Sequence, residues 1–295
     1  MCTICGCSDG AKATVTDLET GKTVELAHDG SHHDHNHDHD HDHDHGHPHH
    51  SHDHGDSHAH HHDGHAHTHA ARHGTTLSLE ADILAKNNRL AERNRGWFEG
   101  RGILSLNLVS SPGSGKTTLL ERTITDLKGE LPINVIEGDQ ETLNDAQRIK
   151  ATGCKVVQIN TGTGCHLEAD MLARGLKDLN PPPNSIVMIE NVGNLVCPAL
   201  FDLGENCKVA ILSVTEGEDK PIKYPHMFRA AQVMLLNKID LLPHLNFDVE
   251  ACVNYAKTVN PDIRIFQLSA ISGQGMDEWY GWLKKQLNAQ QRGTA

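Results

Sequence analysis

Between residues 28 and 73 the sequence contains no leucine, isoleucine, valine or phenylalanine. A segment without these residues cannot bury a core, so the tract 28–74 is expected to be disordered. What fills it is histidine and aspartate: 22 of the chain's 25 histidines fall there, interleaved with nine aspartates and the single Arg72. The tract thus carries −8 of the chain's formal charge of −13, leaving −5 for everything else. That remainder lacks the clustered basic surface that a nucleic acid or an anionic membrane would need, which excludes both as partners. Also missing is any apolar run near the roughly 20 residues that cross a bilayer. The N-terminus has no charged stretch leading into an apolar one, so a cytoplasmic protein is expected. Eight cysteines, three of them in the first seven residues, then fit reduced thiols used for metal or redox work better than a disulfide scaffold.

Four segments follow from this unevenness: a leader with a cysteine motif (1–27), the His/Asp-rich tract (28–74), an amphipathic helix (76–100) and a domain from 101 to 295. In LSLEADILAKNNRLAERNRGWF the apolar Leu79, Ile83, Leu90 and Trp97 recur at helical spacing among charges. From Ile103 onward, apolar runs alternate with helical patterns: ILSLNLVSS, INVIEGD, VVQINT, SIVMIENVG, KVAILSVTEG, QVMLLNKID and RIFQLSA. This alternation predicts an α/β domain, a mostly parallel sheet of about seven strands flanked by helices. The last helix places Met276, Trp279, Leu283 and Leu287 on one stripe.

The segment SSPGSGKTT, Ser110 to Thr118, sits between a predicted strand and a predicted helix, the setting of a phosphate-binding loop. Gly113, Ser114 and Gly115 let backbone N–H groups turn toward phosphates, and the helix N-terminus at Thr117 and Thr118 adds partial positive charge. Lys116 is expected to neutralise the β and γ phosphates and Thr117 to ligate Mg²⁺. Further along, NKID (Asn237 to Asp240) ends a strand. Guanine presents two adjacent donors that the Asp240 carboxylate can accept together, whereas adenine has an acceptor there; GTP and GDP are therefore the expected ligands. Asn237 braces this loop, the Lys238 stem lies across the base, and the backbone of Ser269 and Ala270 is placed to reach guanine O6. Asp139 and Glu190, each ending a strand beside the phosphates, compete for the Mg²⁺-side and water-side roles. Gly193 of ENVG is placed to offer its N–H to a γ-phosphate. Many GTPases have Asp and Gln where this chain has Glu190 and Asn194, so slow intrinsic turnover is expected.

Outside the tract, two groups have the chemistry of metal ligands. Cys2, Cys5 and Cys7 lie close to the α-amino group, and three thiolates with an amine can form the planar set that Ni²⁺ accepts and Zn²⁺ does not prefer. Cys165 and His166 are expected at a helix start, where the dipole would lower the thiol pKa. Cys197 lies just past Gly193, so a γ-phosphate that draws Gly193 would move it and regrip a metal shared by Cys165, His166 and Cys197.

Taken together, Cys2-x-x-Cys5-Gly-Cys7, NLVSSPGSGKTTLL, VIEGDQ, NTGTGCHLEADM, ENVGNLVCPALFDLGE, SVTEGEDKP and MLLNKIDLLP resemble the hydrogenase nickel-incorporation GTPases. The resemblance covers all but the variable tract. It implies a P-loop GTPase that forms a GTP-dependent homodimer, with Leu241 and Leu245 at the interface, and that delivers Ni²⁺ to the large-subunit precursor of a nickel-iron hydrogenase. It further implies tight nickel binding by Cys2, Cys5 and Cys7, a weaker nickel or zinc site at Cys165, His166 and Cys197, and docking of a small zinc-containing nickel metallochaperone on the helix around 79–98. Two alternatives are a nickel storage or detoxification protein with a regulatory nucleotide domain, and a maturation GTPase for another nickel enzyme such as urease. The urease branch carries a Cys-Pro-His motif not found in this sequence. The histidines alternating with carboxylates offer many weak, interchangeable sites, which suits a metal store and defines no single geometry.

Overall fold

The computed structural model describes residues 13–26, 67–139 and 144–293, with side chains from residue 81 onward in the first helix. Cys2, Cys5, Cys7 and residues 27–66 lie outside the described residues. The chain divides into two units, residues 28–78 and the remainder.

Two strands not expected from the apolar runs come first. β1 (Thr14–Asp17) and β2 (Thr23–Glu25) form a hairpin whose turn uses Gly21 at φ +69°, and β1 adds antiparallel to the edge of the sheet. The following helix α1 (His67–Glu99) begins inside the stretch expected to be disordered. Elongation is cheap once a helix is nucleated, and Ala70, Ala71 and Arg72 have high helix propensity. The alternation expected from Ile103 onward then runs as β3 (Leu104–Ser110), α2 (Lys116–Asp126), β4 (Ile133–Asp139), α3 (Asn144–Ala151), β5 (Lys155–Asn160), α4 (Ala169–Leu179) and β6 (Ile186–Glu190). It continues through α5 (Cys197–Leu200), β7 (Cys207–Ser213), α6 (Lys220–Lys223), α7 (Pro225–Ala230), β8 (Val233–Asn237), a 3-10 turn (Ile239–His244), α8 (Val249–Val259), β9 (Arg264–Gln267) and α9 (Met276–Gly293).

The sheet order is β2-β1-β5-β4-β6-β3-β7-β8-β9, parallel except for the hairpin. All seven residues of β3 are buried, as a central strand covered on both faces requires. One face packs Leu106, Leu108, Leu119 and Leu120 against the α9 stripe of Met276, Trp279, Leu283 and Leu287. The other packs Phe98, Ile136, Ile159, Leu172 and Leu176, and further along Val109, Leu212, Phe228 and Cys252.

Of the apolar stripe anticipated for α1, the Leu79 side chain lies outside the described residues, and the described members are not the most buried of the helix. Ile83 is 45% exposed, and Leu90 and Trp97 are half-buried. The helix instead packs through Asn87, Ala91, Asn94 and Phe98, which lie on one side at four-, three- and four-residue steps. Two of these four are amides, which a count of apolar residues does not register.

Candidate functional site

The C-terminal ends of the central strands surround a cavity of about 550 Å³ lined by the loop Ser110–Thr118 together with Glu137, Asp139, Arg148, Glu190, Gly193 and Lys238. Gly113 and Gly115 turn the loop at φ +77° and +91°, and a Cβ on Gly115 would sit 2.7 Å from the Asn237 amide nitrogen. Helix α2 starts at Lys116, so its unpaired N–H groups face the cavity. Lys116 Nζ lies 3.5 Å from Glu190 Oε1, and Thr117 Oγ1 donates to the same oxygen at 2.7 Å. Thr118 Oγ1 accepts from Arg148 at 3.2 Å.

Glu190 is 2% exposed; burial raises its carboxyl pKa, opposed by Lys116 and the Thr117 hydroxyl. The strand register sets Glu137 beside it, and burial, reinforced by Glu190 and Asp139, pushes the Glu137 carboxyl up to about 9 against the pull of Lys116. Glu137 was not singled out from the sequence, although it precedes Asp139 by two residues and so shares its strand face. Each of these two carboxyls keeps one buried oxygen with no hydrogen-bond partner. The unpaired Glu190 oxygen, beside Lys116 and Thr117, is the kind of donor a hard divalent cation shared with a polyphosphate takes, and a bound cation favours its ionised form, so the residues present fit Mg²⁺.

At the other end of the cavity, Asn237 Nδ2 donates to Ser114 O at 3.0 Å and its Oδ1 accepts the N–H groups of Lys238 at 2.8 Å and Ala270 at 3.3 Å. Lys238, at φ +64°, donates to Gly113 O at 2.7 Å. Asp240 Oδ1 is buried without a hydrogen-bond partner. The Ser269 N–H goes to Gln274 O at 2.9 Å and that of Ala270 to Asn237 Oδ1 at 3.3 Å, so both amides have partners within the loop in this structure.

Cys165, His166 and Cys197 come together as anticipated, with their candidate ligand atoms all within 4.8 Å of one another and all three residues buried. The two Sγ atoms are 3.0 Å apart and Cys165 Sγ is 3.6 Å from His166 Nδ1. Burial lowers the His166 pKa to about 4, which keeps the imidazole in its neutral, ligating form. Its ring lies 3.9 Å from that of Phe201. Cys165 is not in a helix first turn, because α4 begins only at Ala169; the cysteine at a helix start is Cys197, the first residue of the four-residue α5. Leu245, the candidate interface residue, is 39% exposed, and Leu241 is half-buried.

Asparagines tie this group to the nucleotide loop. Asn191 Oδ1 accepts the Leu167 N–H at 3.2 Å, and its Nδ2 donates to Asn107, which donates to Glu205 at 3.0 Å. Lys208, 3.5 Å from Glu205, donates to Pro198 O at 2.7 Å. Asn194 bonds Cys165 O at 3.4 Å and the Val196 N–H at 2.8 Å.

A mostly parallel sheet with a glycine loop at a helix N-terminus, buried carboxyl groups beside it and an NKID turn packed on that loop define a P-loop GTPase. Known proteins narrow the class. The family described as CobW/HypB/UreG, nucleotide-binding domain, matches residues 105–267. The chain is 64% identical over 210 residues, 71% of its own length and 72% of the other's, to hydrogenase maturation factor HypB of Escherichia coli strain K12. Among solved structures, HypB from Archaeoglobus fulgidus matches at 40% identity and TM-score 0.64, over 69% of this chain and 99% of that one. HypB from Helicobacter pylori in complex with nickel matches at 36% identity and TM-score 0.65, over 69% and 96%. The chain belongs to the CobW/HypB/UreG family.

Proposed function

We propose that this GTPase serves hydrogenase maturation as a metallochaperone, carrying Ni²⁺ to the large-subunit precursor of a nickel-iron hydrogenase. The observation that carries the reading is the buried Cys165–His166–Cys197 group, whose first segment is hydrogen-bonded to the loop that would contact the γ-phosphate, Cys165 O to Asn194 and the neighbouring Leu167 N–H to Asn191. Two thiols and a neutral imidazole suit a borderline cation, Ni²⁺ or Zn²⁺, held as cargo. The nickel-bound Helicobacter pylori relative supports Ni²⁺.

In this mechanism the loop amides and Lys116 hold the phosphates of GTP, and the Asp240 carboxylate selects guanine. Thr117 and Glu190, with Asp139 alongside, would hold Mg²⁺, which when bound neutralises charge on the β and γ phosphates. Loss of the γ-phosphate frees Gly193; Asn194 then shifts against Cys165 and the segment leading to Cys197, and the metal site opens. Cys2, Cys5 and Cys7 form a second, tighter nickel site, and the tract 28–74 is a store. GTP favours a homodimer joined through Leu241 and Leu245, and the exposed side of α1 that carries Ile83 docks a small zinc-containing nickel metallochaperone. The protein works in the cytoplasm; no described helix is long and apolar enough to cross a membrane.

The decisive experiment is genetic. A cell lacking the protein should regain hydrogenase activity when given excess nickel, and failure of that rescue with other maturation steps intact rejects delivery. Deleting residues 28–73 should spare maturation at ample nickel; collapse there would favour storage as the primary role.

A further inference from the structure

We propose that Asn87 and Asn94 of α1 are positioning residues for the Cys165–His166–Cys197 group, because each side-chain amide bridges the two chain segments that carry its ligands. The inference rests on the metal-site reading above. Asn87 Oδ1 accepts the Ala169 N–H at 2.9 Å, and its Nδ2 donates to Asp202 O at 2.7 Å. Asn94 Nδ2 donates to Ala169 O at 2.8 Å and to Leu203 O at 3.0 Å. Ala169 follows Cys165–His166 within one turn of chain, and Asp202 and Leu203 follow Cys197 by way of α5 and Phe201.

Asparagine is a poor choice for a helix interior, since its amide competes with the backbone, and two on one buried face need a compensating role. At α4 that role is visible. The first N–H groups of a helix need acceptors, Glu168 at the cap position makes no side-chain cap bond, and Asn87 supplies one from another helix. The close approach is built into the backbone as well. Gly204, at φ +84°, lies so near α1 that a Cβ would fall 2.3 Å from Ala91 O and 2.7 Å from Arg95 N. Arg95 adds bonds to Asp202 Oδ2 at 2.5 Å and Glu205 O at 2.9 Å. The three ligand atoms lie within 4.8 Å, and metal–ligand bonds tolerate only about 0.2 Å of error. A brace that fixes the two segments against one rigid helix therefore sets whether the ligands converge.

The test uses the full chain with Cys2, Cys5 and Cys7 replaced by Ser and Co²⁺ as the probe. Imidazoles of the tract bind Co²⁺ but give no thiolate-to-metal absorption, so that band reports the buried cysteines. In Asn94→Ala and Asn87→Asp the band should shift and its half-saturating Co²⁺ concentration rise about tenfold, while GTP hydrolysis without Co²⁺ stays at the parent rate. Asn87→Asp keeps an acceptor for Ala169 and carries the test if Asn94→Ala does not fold. An unmoved band and midpoint in a folded variant overturn the brace alone. Equal losses of hydrolysis and Co²⁺ binding also overturn it, since they mark general loosening. If the parent shows no band that Cys197→Ser abolishes, the metal site itself fails and the brace falls with it.

Discussion

Thr117 Oγ1 donates to Glu190 Oε1 at 2.7 Å, so the hydroxyl that opens α2 and the carboxylate that ends β6 already meet across the phosphate cavity. Glu190→Gln keeps the shape and removes the charge. GTP hydrolysis is expected to fall by about a hundredfold or more, with binding of GDP in the absence of Mg²⁺ close to the parent value. Single-turnover hydrolysis and a GDP titration check the two halves separately.

Asp240 Oδ1 is buried and unpaired. Asp240→Asn presents a donor to the donor edge of guanine, and a site built to pair loses far more from a mismatch than from a missing methylene. GTP affinity should drop by about a hundredfold or more, while xanthosine triphosphate, which has a carbonyl at that edge, should bind better than GTP. Competition between the two nucleotides measures it.

If Cys197 couples nucleotide to metal, Cys197→Ala should weaken Ni²⁺ binding at the domain site by at least about tenfold and abolish any difference between GDP and GTP-analogue states. Lys116→Ala should remove hydrolysis with little effect on Ni²⁺ bound by the leader. Wild-type nickel affinity in every nucleotide state of Cys197→Ala would break the coupling.

The Asp126 carboxylate, receiving Arg122 Nε at 2.6 Å and Tyr280 Oη at 2.8 Å, titrates below its ordinary value because these hydrogen bonds outweigh the burial that opposes them. A depressed carboxylate stabilises the fold above its unfolded pKa, and that contribution disappears as pH falls through the lower folded value. Asp126→Asn should therefore cost about 1 kcal/mol at pH 7, held down by partial exposure, and the gap from wild type should close in urea unfolding as pH drops below 4.

The seven parallel strands were legible because a strand covered on both faces reads as an unbroken apolar run, as LSLNLVS does. The phosphate loop and NKID were legible because their chemistry is local. Other features were not. The β1–β2 hairpin is only four and three residues long and sits in a leader read for its cysteines, although TVTD and TVE alternate around a glycine turn. The packing face of α1 is written partly in amides, whose partners at residues 169, 202 and 203 are distant in sequence. The occupation of the Ser269 and Ala270 N–H groups depends on how Gln274 and Asn237 fold back on them.

The register of the edge hairpin has a kinetic consequence. Because β1 runs antiparallel to β5, Thr14 lies opposite Asn160, just before the turn that leads to Cys165. Cys7 is seven residues from that anchor, a span of at most about 25 Å of extended chain. Seven residues reach no farther than that however they are arranged, so the covalent chain alone bounds how far Cys7 can lie from Thr14. An ion handed from Cys7 to Cys165 within one chain would move in a first-order event, with a rate independent of protein concentration, whereas a hand-over between separate chains would speed up with it.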